Sequence, residues 1–554
     1  MLVRLRVAAV LLALATTGCT SFAGPAAAPS TTTSPRTLRP VTAQPDRALT
    51  LIADADPAAA AAAMSGALFS SAPVLVLARA DDRGGLLLGA SAAVGLGVPL
   101  LVQQAGTPSS ADVAHEVARL GVATVLAVGE ADGSGIAGVR VVDVPAAPGA
   151  LADVTGLDFG AVTAVAAGGD AAAVAGLDPD GPAVLLPDDA GAPPSGRSAG
   201  TVPRGRPAEP LDGTVVLATG DDEATTAALA TARAAGARVV LTGGTTDPRA
   251  SDAVLEALAD RPADAVVAVG ADLAAQDGLD WRLRTAESDN RLPGGGQVLF
   301  PGRLLVALYG HPGTGALGVL GEQGIQASIE RARQTAAPYA GVVDTPVVPA
   351  FEIIATVASS SAGADGNYSA ESDPAELRPW VEAAAQAGVY VVLDLQPGRT
   401  DFLSQAQEYQ SLLELPNVGL ALDSEWRLGP NQVHLTQIGS VDVDEVNRVV
   451  SWLADLTREK ALPQKLLLLH QFRTDMISGR ERLDTSRDEL AVMVHADGQG
   501  SQGDKQATWQ RLHENPPAHV WWGWKNFYDE DAPMLSPEQT VAQVSPSPQL
   551  ISYQ

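Results

Sequence analysis

One cysteine, Cys19, in 554 residues leaves no partner for an intramolecular disulfide, so the fold must be held by buried apolar surface. Basic residues are scarce: 36 Lys and Arg face 64 Asp and Glu, the formal net charge is −28, and the only lysines are Lys460, Lys465, Lys505 and Lys525. No stretch can neutralise a run of phosphates, which excludes nucleic acid as the main partner. The turns Gly168-Gly169 and Gly243-Gly244 follow apolar runs, but neither opens a full Gly-x-Gly-x-x-Gly, so no nucleotide cofactor is expected. His-x-His and His-Glu-x-x-His spacings are also missing. A metal would need His311, His470 and His495 with Asp394 or Asp497 to converge through the fold, and none is expected. No motif supports a Ser or Cys nucleophile. What is abundant is apolar surface, 46% of residues, enough in a chain of this length for two or three globular units.

The N-terminus carries Arg4 and Arg6 ahead of a short apolar run, Val7 to Ala15, far below the roughly 20 residues that span a bilayer. It reads as a signal peptide, residues 1–18. Thr16-Thr17-Gly18-Cys19 resembles the bacterial lipobox, with Thr where Leu is usual. That resemblance implies lipidation of Cys19 and attachment to the outer face of the cytoplasmic membrane; the alternative is a free thiol beside an ordinary cleavage site. Residues 19–45, rich in Ser, Thr, Pro and Ala, have the composition of an extended tether.

The rest divides by its aromatic content. Residues 46–295 hold one Trp, one His and no Tyr, whereas all seven tyrosines, seven of eight tryptophans and six of seven histidines lie beyond Leu299. A shift that sharp marks a domain boundary, with Pro293-Gly294-Gly295-Gly296 as the hinge.

The first half repeats itself at a spacing of about 140 residues. Val74-Leu75-Val76-Leu77-Ala78 before Asp81-Asp82 matches Val215-Val216-Leu217-Ala218 before Asp221-Asp222, and Val128-Gly129 matches Val269-Gly270. Each copy alternates apolar strands with Ala-rich helices, and a reduced third copy, Val162 to Asp189, lies between. Continuous apolar strands point to parallel sheets covered on both faces. The run Gly97-Val98-Pro99-Leu100-Leu101 and the stretch Arg119 to Gly129 resemble the type-2 cell wall-binding repeat of Gram-positive surface proteins; of its opening Asp-Arg-Tyr-x-Thr signature, Asp46, Arg47 and Thr50 are present and Ala48 replaces Tyr. The resemblance implies three tandem α/β units that hold an anionic wall polymer. A structural spacer is the other reading.

Residues 296–554 show eight alternations of strand and helix, the size and order of a (β/α)8 TIM-like barrel. Strands are expected at Leu304–Leu308, Val347–Ile353, Val389–Leu395, Val418–Leu422, Lys465–Leu469, Leu490–Val494, His519–Trp524 and Gln549–Tyr553. The strands are apolar runs with polar residues gathered at their carboxyl ends, and in barrels those ends form the active-site face. By strand alternation, Tyr309 with His311, Asp423 with Glu425, and His495 with Asp497 are expected on common faces. The expected fold class is therefore α/β, with an N-terminal tandem repeat domain and a C-terminal barrel.

Asp394, Asp423 and Glu425 offer carboxylates close enough to push their proton affinities apart, as acid and base roles require. Asp-x-Glu ending a fourth strand resembles the chitinase-type glycosidases, although their upstream acidic positions are replaced by Gly419-Leu420-Ala421. The resemblance implies Glu425 as general acid, Asp423 as its positioner or stabiliser of the reacting group, and Asp394 as modulator. His311, Glu352, His470, Asp497 and Lys525 are candidates to hold substrate, and Trp426 and Trp524 to stack on sugar rings.

The order of lipobox, repeats and a barrel containing Tyr309-Gly310-His311-Pro312-Gly313 and Trp521-Trp522-Gly523-Trp524-Lys525 resembles secreted actinobacterial proteins with cell wall-binding repeats. Two functions stay open: a glycoside hydrolase acting on a cell wall polysaccharide, and a non-catalytic lipoprotein that binds or scaffolds wall polymer.

Overall fold

The computed structural model describes residues 39–104, 111–189, 200–203 and 205–554; Cys19, the signal-like segment and most of the tether lie outside them. Among the described residues no helix is long and apolar enough to cross a membrane.

The repeat read in the first half is a repeat of parallel sheets. One has strand order Leu100–Gln103, Val74–Arg79, Thr124–Val128, Arg140–Val144; the other has Arg238–Leu241, Thr214–Ala218, Ala265–Val269, Leu49–Ile52. The matched segments occupy matched places, but the last strand of the second sheet comes from the beginning of the chain, so that unit is closed across the full length of the region. The reduced copy contributes the parallel pair Val162–Val165 and Val184–Pro187. Ala-rich helices Pro57–Leu68 and Arg83–Leu96 both pack on Thr226–Ala234. Their fully buried Ala60, Ala61, Ala90, Ala93, Ala228 and Ala230 let three backbones approach closely around one core.

The paired Asp residues of the repeat have a local task. Asp82 accepts the amides of Gly85 at 2.9 Å and Glu130 at 2.8 Å, capping helix Arg83–Leu96 and tying it to the end of the Thr124–Val128 strand. Gly129 is required beside it: its φ is +69°, and a Cβ there would lie 2.1 Å from Asp82 Oδ2. Asp222 makes the equivalent bond to the Ala224 amide at 3.0 Å. Asp82→Ala is expected to cost about 1–2 kcal/mol, the upper range for a lost cap, because the Glu130 amide also loses its acceptor. Urea denaturation of the two proteins measures it, and equal midpoints would reject that role.

The second half is a closed barrel of eight parallel strands: β1 Leu304–Gly310, β2 Val347–Ala358, β3 Tyr390–Leu395, β4 Val418–Asp423, β5 Lys465–Gln471, β6 Leu490–Ala496, β7 Trp521–Asn526 and β8 Leu550–Tyr553. Neighbours in sequence are neighbours in space, and β8 pairs with β1 to close the ring. All eight expected strands are present. The interior is filled from the amino-terminal end by Leu305, Val348, Tyr390, Leu466, Met493 and Leu550, plugged below by Leu292, Leu299 and Phe300. Gly419 makes room for Tyr390, whose hydroxyl would sit 2.9 Å from a Cβ at that position.

The Gly-rich boundary segment is a packed turn. The Leu292 amide bonds Gly296 O at 3.0 Å, and the Arg303 guanidinium donates to the carbonyls of Pro293, Gly295 and Val298. The first half meets the amino-terminal end of the barrel. Trp281 is buried between Arg249 and Arg458, 4.4 and 5.0 Å from its ring centroid, and Arg282 pairs with Asp488 just before β6. The opposite, carboxyl-terminal end of the barrel is left open.

Candidate active site

Strand alternation sends one side chain per strand to the same interior layer near the open end, and here all eight are polar: Tyr309, Glu352, Asp394, Asp423, His470, His495, Lys525 and Ser552. The ladder registers Tyr309 opposite Glu352, His470 opposite both Asp423 and His495, and Lys525 opposite Ser552. Gly523 gives His495 its space, since a Cβ there would lie 2.6 Å from the imidazole.

His470 is the centre of this layer. It has no exposed side-chain surface, and its Nε2 lies 2.7 Å from Glu352 Oε1 while its Nδ1 lies 2.9 Å from Asp497 Oδ2. Asp497 Oδ1 in turn faces Lys525 Nζ at 3.1 Å, and that ammonium sits 3.6 Å from the centroid of the Tyr309 ring. Charges therefore alternate: Glu352, His470, Asp497, Lys525. Burial opposes the His470 charge, but the Glu352 and Asp497 carboxylates outweigh it and raise its pKa well above the usual range. Burial likewise opposes ionisation of Glu352 and Asp497, and the facing cations win, His470 for Glu352 and first Lys525 then His470 for Asp497, holding both carboxyls below their ordinary values. His495, its Nδ1 3.4 Å from His470 Nδ1 and its Nε2 3.1 Å from Ser552 Oγ, is pushed down to about 3 by burial and is neutral.

A second group of carboxyls behaves oppositely. Asp394, buried beside His470 and receiving the Tyr309 hydroxyl at 3.0 Å, is pushed up to about 7, chiefly by burial. Burial raises Asp423 well above the carboxylate range and raises Glu425 as well, with the Asp497 charge adding to the effect on Glu425. Asp423 ends β4 and accepts the Glu425 amide at 3.2 Å, capping the short turn Ser424–Trp426. That turn carries Glu425 and Trp426 to the wall of an open cleft of about 580 Å3, lined also by Tyr309, Gln396, Asp423, Phe472, Asp497 and Lys525.

The expected site residues thus separate into three groups. Asp423, Glu425, Trp426, Asp497 and Lys525 line the cleft. Asp394, Glu352 and His470 are wholly buried within the same layer, so the latter two hold charge beneath the floor rather than substrate hydroxyls at it. His311 and Trp524 are elsewhere. β1 ends at Gly310, with a φ of +150° in close contact with Gly318; the chain turns there, and His311 Nε2 meets Ser372 Oγ at 3.2 Å instead of joining Tyr309. Trp524 points outward from β7, 1% exposed, its Nε1 donating to Asn526 Oδ1 at 2.8 Å and its ring packed on Trp509 of the surrounding helix layer. The sequence reading missed Gln396, Phe472 and Ser552. Inward register marks Ser552 on the last strand, and Gln396 follows Asp394 by two.

Glu352, His470 and His495 each offer a donor atom within 4.8 Å of the others, the one described group with metal-ligand spacing. His470 would have to release one of its two carboxylate bonds to bind a cation, and the Lys525 ammonium already supplies positive charge to Asp497. The geometry is that of a hydrogen-bonded imidazolium.

Fold and site together define a TIM-like α/β barrel protein with an acid/base cluster at the carboxyl ends of its strands. The chain matches no protein-family model and no curated protein. Among solved structures it is similar to Cwp6 from Clostridium difficile at 12% identity and a TM-score of 0.29, over 68% of this chain and 62% of that one, so it spans less than two thirds of that protein's length.

Proposed function

We propose that this is a cell-envelope protein whose barrel hydrolyses a wall polysaccharide by carboxylate acid/base chemistry, carried on the membrane by Cys19 and on the wall by the repeat region. The observation that carries the reading is the contrast between carboxyls in one cleft: Asp497 is paired with the His470 imidazole at 2.9 Å and the Lys525 ammonium at 3.1 Å, while Glu425, half-exposed on the wall, has its pKa raised by burial. Glu425 then donates its proton to the glycosidic oxygen as the bond to the leaving sugar breaks, and a water entering the open cleft forms the new bond to the anomeric carbon and gives its proton back to the Glu425 carboxylate. Asp423, below it, positions Glu425 by accepting its backbone amide. Lys525 and Asp497 face the hydroxyls, and the Trp426 indole offers a flat surface to the ring's C–H face. Release of reducing ends from purified cell wall by the wild type and by Glu425→Gln tests this. Wild-type activity lost in the variant supports it; undiminished activity in the variant removes Glu425 from the mechanism, and no wild-type activity on any wall glycan favours a scaffold.

A further inference from the structure

Beyond the cleft, an ordered aromatic row continues along the barrel rim from Trp426 to residues that the chemistry above does not use. Trp426, on the cleft wall, meets the His434 ring edge-to-face at 5.4 Å; His434 meets Tyr368 at 6.4 Å; and the Arg399 guanidinium covers Tyr368 at 4.4 Å. These residues come from the loops after β2, β3 and β4, and the loops are bolted together. His434 Nε2 bonds Tyr368 O at 2.9 Å, the Arg399 amide bonds Asn367 O at 2.6 Å, and the Arg399 side chain donates to Gln432 O at 2.8 Å. Two non-glycine residues here hold left-handed backbone, Tyr368 at φ +62° and Leu435 at φ +64°. Such conformations cost energy, and they persist where surrounding structure imposes them, often at ligand sites.

The outer edge of the row is apolar and open. Of the seven large hydrophobics exposed among the described residues, three, Val433, Leu435 and Ile438, fall within one loop of the rim, and Leu435 is 89% exposed. Scattered exposed hydrophobics are ordinary; three on a single fixed loop continuing from the cleft wall are a contact surface.

We propose that this shelf binds further sugar units of the same polysaccharide chain whose glycosidic bond lies in the cleft, so that the protein acts on polymer in preference to short oligosaccharides. The inference rests on the hydrolase reading for its direction. Its occupant is set by continuity, because Trp426 belongs to both surfaces, and by chemistry, because the Trp426 indole and the aliphatic side chains of Val433, Leu435 and Ile438 suit the C–H faces of sugar rings.

The test uses the full chain with two variants, Val433→Ser/Leu435→Asn, which alters only exposed side chains and keeps a residue tolerant of left-handed backbone, and Tyr368→Ala. Binding to soluble wall polysaccharide is measured by affinity electrophoresis, and hydrolysis is measured on that polymer and on its short oligosaccharides. Each variant is expected to weaken polymer binding about tenfold and to leave oligosaccharide turnover unchanged. Polymer and oligosaccharide falling equally, or neither changing, overturns the shelf while sparing the hydrolase reading. Binding lost in the variants of a wild type that cleaves nothing overturns the hydrolase reading and keeps the shelf; no wild-type binding overturns the shelf. Binding of zwitterionic lipid vesicles, lost in the loop variant while polysaccharide binding holds, overturns the shelf and assigns the loop to a membrane surface.

Discussion

Replacing His470 by Ala is expected to destabilise the barrel by about 3–5 kcal/mol, the loss typical when one partner of a buried ion pair is removed. Two carboxylates, Glu352 and Asp497, lose the imidazolium that both contact, and Glu352 Oε2 already lacks a hydrogen-bond partner. Asp497 keeps Lys525; Glu352 keeps no equally close cation. The pH dependence follows from the shift directions. The raised folded pKa of His470 means its contribution is fully present below about pH 6.5 and is lost as pH rises through the folded value. Glu352 and Asp497 are depressed, so their contributions are present above about pH 4 and are lost as pH falls through their folded values. The gap between wild type and variant should be widest between about pH 4 and 6.5 and should shrink on stronger acidification. Urea denaturation across that range measures it, and a gap independent of pH would mean that the loss is one of packing volume alone.

Glu425→Gln should lower kcat on wall polysaccharide by about 10²–10⁴-fold, the usual contribution of a positioned general acid, with little change in stability. The amide keeps the shape and the cleft position but has no proton to give. Because burial raises the Glu425 pKa, wild-type activity should persist above the ordinary carboxylate range and then fall on the alkaline side as Glu425 ionises. Asp394, whose pKa burial pushes up to about 7 beneath the cleft, should contribute to the same limb by adding negative charge below Asp423 as it ionises. Tyr309→Phe, which removes the hydroxyl from Asp394 Oδ2, should move that limb to higher pH, since a donor to the carboxylate no longer favours its ionised form. An unmoved profile would separate Asp394 from the reaction.

Much of this architecture was legible in the sequence because period and polarity are local properties. The eight strands could be placed from apolar runs, and their polar ends pointed to one rim. Tyr309, Glu352, Asp394, Asp423, His470, His495 and Lys525 were all visible as polar residues closing apolar strands. The strand pattern failed where the chain left strand geometry. At Gly310 a backbone conformation near φ +150° breaks alternation and takes His311 away. On β7, Trp524 and Lys525 are equally near the strand end, and register alone sends the cation inward and the indole outward.

What the amino-acid order determined by itself is the repeat, the barrel and the set of residues available to its rim, because side-chain period along a strand and apolar burial are written residue by residue. Only the tertiary structure decided the roles. Both Asp497 and Asp394 are buried near His470, and the strands beside them decide the opposite shifts: Asp497 faces the Lys525 ammonium as well as the imidazole, which outweighs burial, whereas burial prevails at Asp394. The aromatic shelf is decided the same way: Tyr368, Arg399 and His434 come from three separate loops, and they meet only because closing the barrel brings β2, β3 and β4 side by side.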